Sequence, residues 1–305
     1  MKQPKVQCFV QGKLLDIDQA QIPIHDAGIQ HGVGLFETLA SRGNLVIDLD
    51  AHIQRLINSA GVLGLTQSLD AEALARAVQH TVDANAELIP RGRVRLTVTG
   101  GHVSLLGEAR GEDQPAKQDP TVMVVVSHAP PIPEQLMTDG AIVAIADDKA
   151  NPFDITSGHK TLNYWTRLRT LAQAAQLQAS EALWFTVTNH LASGCVSNVM
   201  LIKQGTLLSP PARGEEVDQS LPSPVLPGVT RARLMQLAEN DDIPVQTKML
   251  SITDVLEADE IFLSNSLWGV LPVVQVEKEK IGDGKVGPIT RQLAERYEKN
   301  IADAE

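Results

Sequence analysis

The sequence has few cysteines and no long apolar segment. Cys8 and Cys195 are its only cysteines, too few for the disulfide framework of a small secreted domain and not spaced as zinc ligands. No apolar run approaches the length of a transmembrane helix, and Met1 to Pro4 do not begin an apolar signal segment. We therefore expect a cytoplasmic protein with no membrane span and no bound metal.

The sequence also has fewer basic than acidic residues. The chain has 26 lysines and arginines against 37 aspartates and glutamates, which gives a formal net charge of −11. Nucleic acids and anionic membranes both require a basic surface, so neither is an expected partner. An acidic exterior can still enclose a local positive pocket for a small anion.

The composition is that of a soluble globular protein, with 43% hydrophobic and 21% charged residues. A chain of 305 residues is long for one hydrophobic core, which favours two domains. We expect a small N-terminal α/β domain over residues 1–128 and a large C-terminal domain over residues 139–305. Residues 129–138 contain closely spaced prolines, which suit a stiff, extended linker.

Apolar residues recur with the spacing of strands and of helices in turn. The predicted strands cover residues 6–10, 14–15, 35–39, 45–48, 94–99, 121–127, 141–146, 182–187, 199–203 and 260–264. The predicted helices are one capped by Asp50 and those over residues 71–84, 162–177, 231–239 and 288–302. Residues 209–227 are predicted to form a mobile loop, either solvated or bordering a site entrance. The pattern indicates an α/β or α+β class with mixed sheets in two domains.

The segment from Ser157 to Trp165 places Lys160 directly before a predicted amphipathic helix. A lysine that is held still and desolvated there can attack a carbonyl group and form an imine. The alternative is an ordinary solvated lysine at a helix start. Lys160 is the candidate catalytic residue.

Residues 226–231 are suited to bind an anion. Gly228 allows a sharp turn before a helix, and the first-turn N–H groups, including that of Val229, then face outward. The hydroxyl of Thr230 adds a donor, so the segment is a candidate phosphate site. The alternative is that Thr230 is an ordinary helix cap.

Two further places could hold an anion. Arg55 lies beside the apolar stripe of its helix, and it either reaches into a cleft between the domains to bind phosphate or extends over the surface. Asn265 and Ser266 follow the end of a predicted strand, where backbone donors commonly face ligands. Taken alone, that segment is only a turn.

Six segments, in this order, resemble the class IV aminotransferases, the fold-type IV enzymes that use pyridoxal 5′-phosphate. The matching segments are residues 26–37, 52–56, 159–164, 197–199, 226–231 and 265–273. They span most of the chain, and their agreement in register is more specific than any one of them.

The resemblance implies a two-domain architecture with pyridoxal 5′-phosphate in the cleft between the domains, and a close homodimer. It implies that Lys160 carries the cofactor as an aldimine and then moves the α-proton of the substrate. Tyr164 resembles the phenol that hydrogen-bonds the ring oxygen of the cofactor, and Asn198 matches an asparagine that follows a strand turn. The residues implied to hold the phosphate are Arg55, Val229, Thr230, Asn265 and Ser266.

Ser193 departs from the family pattern. Family members place a glutamate five residues before the asparagine, where it pairs with the pyridine nitrogen and keeps it protonated; here Ser193 stands at that position and the segment to Asn198 has no carboxylate. A serine is a neutral partner, so the ring should be a weaker electron sink. Either a carboxylate arrives from elsewhere, or the enzyme is a modest transaminase, or it is tuned toward lyase chemistry, or the change is neutral drift.

Among the family's activities, we expect transfer of an amino group between an α-amino acid and a 2-oxo acid. The alternative is 4-amino-4-deoxychorismate lyase, which releases pyruvate and 4-aminobenzoate, and a second alternative is a cofactor-binding protein with little turnover. The arginine expected of D-specific members is missing at residues 100–102, which argues against D-specificity. Candidate substrate residues are Phe36, Arg95 and Leu267, although Arg95 could equally be a surface arginine of its strand.

Overall fold

The N-terminal part of the chain folds around a six-stranded antiparallel sheet. The computed structural model describes residues 5–102, 120–217 and 220–304. The strands of this sheet are β1 Gln7–Val10, β2 Lys13–Asp16, β3 Gly34–Arg42, β4 Leu45–Val46, β5 Arg91–Thr99 and β6 Val122–His128. Their order is β2-β1-β6-β5-β3-β4, and every neighbouring pair is antiparallel.

Within residues 5–102 and 120–130, three α-helices accompany this sheet: α1 Ala27–His31, α2 Leu49–Val62 and α3 Ala71–Asp83. Successive side chains of a strand point to opposite faces. In β3, Leu35 and Leu39 join the core cluster that also contains Ile53 of α2 and Val78 of α3. Phe36 therefore points to the opposite face of the sheet.

The C-terminal part of the chain is built on a nine-stranded mixed sheet. Its strands are β7 Ala141–Ala150, β8 Glu181–Thr186, β9 Leu191–Ser193, β10 Asn198–Lys203, β11 Thr206–Ser209, β12 Val245–Thr247, β13 Glu260–Asn265, β14 Gly269–Val276 and β15 Glu279–Lys280. The order is β12-β11-β10-β13-β14-β7-β8-β9, with β15 paired to β14. The pairs β11–β12, β14–β7 and β7–β8 are parallel, and the others are antiparallel.

Five helices belong to this part: α4 Glu134–Thr138, α5 Trp165–Gln176, α6 Val229–Asn240, α7 Ile252–Leu256 and α8 Pro288–Ala302. Helix α8 has the predicted bounds because Pro288 is favoured at a first helical position and apolar residues recur behind it. Across the part of the chain that the structure describes, none of the helices combines the length and the apolar character needed to cross a bilayer.

The chain divides into two units. One comprises Met1–Pro130 with Lys160–Asn163, and the other comprises Pro131–His159 with Tyr164–Glu305. The predicted mixed α/β class is confirmed. The division after Pro130 falls within the predicted linker, whose later part forms helix α4.

Three sequence predictions need correction. The helix predicted to be capped by Asp50 begins at Leu49 with Asp48 as its N-cap, and Asp50 lies in its first turn. The helix predicted over residues 162–177 begins at Trp165, because the residues before it are paired with a strand. The loop over residues 209–227 is not simply solvated, since Ala212, Ser223 and Val225 are buried. Ala212 and Val225 pack in a small-residue cluster of the second unit, which gives this segment a packing role.

Candidate active site

Lys160 lies in an extended segment that pairs with β3. The Phe36 amide donates to the Lys160 carbonyl at 2.9 Å, and the Leu162 amide donates to the Gly34 carbonyl at 3.0 Å. Gly34 permits this close approach, because a Cβ there would lie 2.7 Å from both Leu162 Cδ1 and Val98 O. The lysine is therefore fixed by strand pairing rather than by the helix start that the sequence suggested.

The Lys160 amine lies above the ring of Phe36. Its Nζ is 4.6 Å from the ring centroid, and the Arg95 guanidinium carbon is 3.3 Å from the same centroid. Cations are attracted to an aromatic face in this geometry. The structure thus brings together three predicted site residues, and Arg95 is half-buried against Phe36 rather than extended over the surface.

Arg55 is not a surface arginine, because it pairs with a buried carboxylate. Its Nε donates to Glu37 Oε1 at 2.9 Å, and its side chain is 10% exposed. His52 Nδ1 lies 2.7 Å from Glu37 Oε2. Since Glu37 and Phe36 are neighbours on β3, the Arg55 cluster lies on the face opposite the Lys160 amine.

Charges inside this cluster fix its protonation. Burial alone would raise the pKa of Glu37, but the Arg55 charge and hydrogen bonds from His52 and Arg55 lower it to about 2. Burial lowers the pKa of His52, although the Glu37 carboxylate opposes this effect. Neutral His52 therefore donates from Nδ1 to an ionised Glu37.

In the second unit, several predicted cofactor residues converge on one segment, residues 193–198, which we call the central turn. The Tyr164 hydroxyl donates to the Cys195 carbonyl at 3.3 Å. The Asn265 amide nitrogen donates to the Val196 carbonyl at 3.3 Å. Asn198, at the end of this turn, donates to the Leu226 carbonyl at 2.9 Å.

The buried carboxylate of Glu181 is hydrogen-bonded to the central turn. Glu181 accepts hydrogen bonds from the amides of Cys195 and Val196 at 2.9 and 3.0 Å, and from the Ser197 hydroxyl at 2.8 Å. It also accepts from the Ala182 amide at 3.0 Å. The carboxylate thus orders the turn that the candidate cofactor residues contact.

Helix α6 begins beside Asn198. A Cβ on Gly228 would lie 1.9 Å from Asn198 Oδ1, so a larger residue there requires the Asn198 side chain or the turn to move. The helix cap is Gly228 itself, and no side chain makes the cap hydrogen bond. The alternative in which Thr230 caps the helix is therefore wrong: Thr230 lies in the first turn and is buried, directly after Val229.

The segment after β13 is organised by its own asparagine. Asn265 Oδ1 accepts from the amides of Leu267 and Trp268 at 3.0 and 3.1 Å. Ser266 lies inside this turn. The segment between β13 and β14 is therefore ordered by side-chain hydrogen bonds and is not a loose connection. Since Asn265 also reaches the central turn, the structure brings the 265–268 segment next to the loop that contains Ser193.

Arg167 and Glu181 were not recognised as candidate residues from the sequence. Arg167 donates to the Ser193 hydroxyl at 3.0 Å and to the Gly194 carbonyl at 2.7 Å. One signal was available for Arg167: it follows Tyr164, the N-cap residue of α5, by three residues, so both lie at the start of this helix. For Glu181 the signal was a carboxylate at the start of the apolar strand β8.

The chain belongs to the amino-transferase class IV family, whose sequence profile matches residues 34–276. It is 29% identical to a putative branched-chain-amino-acid aminotransferase of Methanocaldococcus jannaschii, over 95% of this chain and 94% of that protein. It is 27% identical to a D-alanine aminotransferase of Staphylococcus haemolyticus, over 96% of this chain and 97% of that protein.

A solved structure has the same fold. The crystal structure of 4-amino-4-deoxychorismate lyase from Pseudomonas aeruginosa superposes with a TM-score of 0.81. The similarity covers 96% of this chain and 99% of that one, at 27% sequence identity. Both the sequence relatives and this structure thus place the chain in one family, whose members differ in the reaction that their names state.

Proposed function

We propose that this protein is a pyridoxal 5′-phosphate-dependent enzyme that transfers an amino group between an α-amino acid and a 2-oxo acid. The observation that carries the proposal is the convergence of the predicted cofactor residues on the central turn. Family membership supports the proposal. So does the position of Lys160, which is hydrogen-bonded to β3 and lies four residues before the second unit resumes at Tyr164.

The residues present fit the cofactor. The first-turn amides of α6 have no side-chain cap, and Gly228 precedes them without a side chain, which leaves room for an incoming phosphate. In our assignment Val229, Thr230, Asn265 and Ser266 would bind the phosphate; Arg55, the further candidate, pairs with Glu37 on the sheet face opposite the Lys160 amine. Tyr164 and Asn198 would contact the ring, and Ser193 would be the partner of its nitrogen. The bound cofactor supplies the electron sink that lets the α-proton leave.

With the cofactor bound, Lys160 would hold it through the aldehyde carbon and would supply the amine that moves the α-proton. Its amine is half-buried above Phe36 and next to Arg95, so the same sheet face offers a second cation. An α-amino acid and a 2-oxo acid share one group, the carboxylate, which a guanidinium binds well. We assign the substrate carboxylate to Arg95, with Phe36 and Leu267 as apolar contacts.

We also propose a homodimer. Large apolar side chains of the second unit are strongly exposed, and Trp165 and Leu168 lie one turn apart on α5 at 77% and 53% exposure. Phe153 and Ile155 are 71% and 72% exposed. Apolar groups of this size are commonly covered by a partner. Light scattering of the purified protein should give twice the chain mass; a monomer at micromolar concentration contradicts this assignment.

A second candidate function is 4-amino-4-deoxychorismate lyase. Two observations favour it: the 27% identity to a lyase of known structure, and Ser193 in place of a carboxylate. A weakly polarised ring suits a reaction in which the electrons leave at once with a leaving group. The products would be pyruvate and 4-aminobenzoate.

The test begins with the covalent bond. Borohydride reduction of the protein with pyridoxal 5′-phosphate should fix one cofactor per chain on the peptide that contains Lys160, and Lys160→Ala should abolish this adduct. Lys149→Ala is the matched control, because the Lys149 amine also lies near a phenylalanine ring, 5.4 Å from the centroid of Phe185, but the residue is exposed. An adduct that persists in Lys160→Ala contradicts the proposal.

A donor screen then separates the reactions. Conversion of the bound cofactor to its amine form by an amino acid supports the transaminase. Pyruvate release from aminodeoxychorismate without such conversion supports the lyase, and neither activity indicates a protein that binds the cofactor with little turnover. D-alanine belongs in the screen because one relative is a D-alanine aminotransferase.

A further inference from the structure

The residue that contacts Ser193 is a cation. One terminal nitrogen of Arg167 donates both to Ser193 Oγ at 3.0 Å and to the Gly194 carbonyl at 2.7 Å. The guanidinium carbon lies over the ring of Trp184, 4.0 Å from its centroid. These contacts fix Arg167 in place at the point where other family members carry a carboxylate.

The nearby carboxylate does not replace the missing one. Glu181 is fully buried, and its two oxygens accept from the backbone of residues 182, 195 and 196 and from the Ser197 hydroxyl. Using Glu181 as a ring partner would break the bonds that order the central turn. The group presented beside Ser193 is therefore a guanidinium, which stays protonated in proteins.

We propose that Arg167 and Ser193 together hold the pyridine nitrogen of the bound cofactor in its unprotonated form. This inference rests on the proposed function, because it needs the cofactor ring beside Ser193. It assigns Arg167 a role in setting the protonation of the pyridine nitrogen. In this chain a serine and an arginine together would replace the one carboxylate of other family members.

The hydrogen bonds of Ser193 favour an unprotonated pyridine nitrogen. The hydroxyl accepts from Arg167 and at present donates to the Gly194 carbonyl at 2.9 Å. A hydroxyl has one proton, so Ser193 can donate to a ring nitrogen only if that nitrogen offers a lone pair. Turning the hydroxyl toward the ring leaves the Gly194 carbonyl satisfied, because Arg167 still donates to it.

The positive charge of Arg167 also favours the unprotonated nitrogen. A protonated pyridine nitrogen next to Ser193 would place a second positive charge close to the Arg167 guanidinium, and like charges disfavour the charged form of a titratable group. A glutamate at residue 193 would do the opposite. The neutral ring withdraws electrons less strongly, so we expect the α-carbanion to be less stabilised than in relatives with the carboxylate.

The test is a nitrogen NMR measurement on the holoenzyme loaded with pyridoxal 5′-phosphate labelled with ¹⁵N in the ring. We expect the resonance of the parent protein at the position of a neutral pyridine, and an upfield shift in Ser193→Glu, where a carboxylate restores protonation. Arg167→Gln removes the charge while keeping a donor, and should shift the resonance part of the way upfield. Arg169→Gln is the control, since Arg169 is exposed on the same helix.

The outcomes separate this inference from the proposed function. A parent chain without a borohydride-trapped cofactor at Lys160 overturns both. A trapped cofactor whose ring nitrogen resonates as protonated in the parent protein overturns only the role of Arg167 and Ser193. An Arg167→Gln resonance equal to that of the parent would show that the serine acts without the arginine. The parent measurement decides the matter even if Arg167→Gln does not fold.

Discussion

Arg55 donates from Nε to Oε1 of Glu37 at 2.9 Å, which joins helix α2 to strand β3 through a buried ion pair. The Glu37 side chain is 1% exposed, and its other oxygen is 2.7 Å from His52 Nδ1. A buried carboxylate is tolerated only when it is paired and hydrogen-bonded. The pair therefore joins two elements of the first unit and holds the Arg55 guanidinium at Glu37, on the sheet face opposite the Lys160 amine.

Replacing Glu37 by glutamine should lower the free energy of unfolding by about 3–5 kcal/mol, because it leaves a nearly buried guanidinium without its counter-charge. Urea denaturation followed by circular dichroism measures the change. The control is Glu72→Gln, which breaks an exposed pair with Arg76 and should cost less than about 1 kcal/mol. Similar losses in the two variants would contradict a special role for the buried pair.

The same cluster should make stability depend on pH. Glu37 has a folded pKa of about 2 against an ordinary value of 4.5, so its contribution is full above pH 4.5 and is lost as the pH falls toward 2. That contribution is roughly 3 kcal/mol. The pKa of His52 is lowered from 6.5, so the unfolded chain binds its proton first and stability already begins to fall below pH 6.5.

Urea denaturation of the parent protein and of Glu37→Gln between pH 8 and pH 3 tests this expectation. The two curves of unfolding free energy against pH should run parallel above pH 6.5, where neither Glu37 nor His52 gains a proton, and should approach each other below pH 4.5, because the variant has no carboxylate to protonate at residue 37. Curves that stay parallel down to pH 3 would show that Glu37 titrates normally in the folded protein.

Local patterns were enough to predict much of the fold. Helix α8 was predicted with its observed bounds, since Pro288 begins it and apolar residues continue it. Strand β14 was missed, because Gly269 and Pro272 are unusual inside a strand and weaken its pattern. The start of α5 was placed too early because Thr161 bridges to Leu35, a contact that no local pattern contains.

The candidate site was predictable only where the motif is local. Lys160 and Tyr164 lie four residues apart and could be recognised together. Arg167 and Ser193 are 26 residues apart, and Glu181 meets Cys195 across 14 residues. Such contacts are set by how α5 and β8 pack around the central turn. The sequence therefore showed that a carboxylate was missing but not which residue had taken its place.

A substitution at Gly228 tests whether the start of α6 binds the phosphate. In Gly228→Ala the new Cβ would lie 1.9 Å from Asn198 Oδ1, so either the turn or the Asn198 side chain must move. We expect a loss of about 1–3 kcal/mol in unfolding free energy, as for other overpacked sites. We also expect weaker retention of pyridoxal 5′-phosphate in dialysis, because the first-turn amides of α6 would be displaced.

Gly61→Ala is the matched control, since a Cβ there has its nearest neighbour at 3.6 Å and alanine is favoured in a helix. It should leave stability unchanged or raise it by up to about 1 kcal/mol. Removing the clashing oxygen in Asn198→Ala with Gly228→Ala should cost less than the sum of the two single changes, because they share one contact. Strict additivity would contradict the shared contact between residues 198 and 228. Retention of the cofactor at the parent level in Gly228→Ala would count against the α6 turn as the phosphate site.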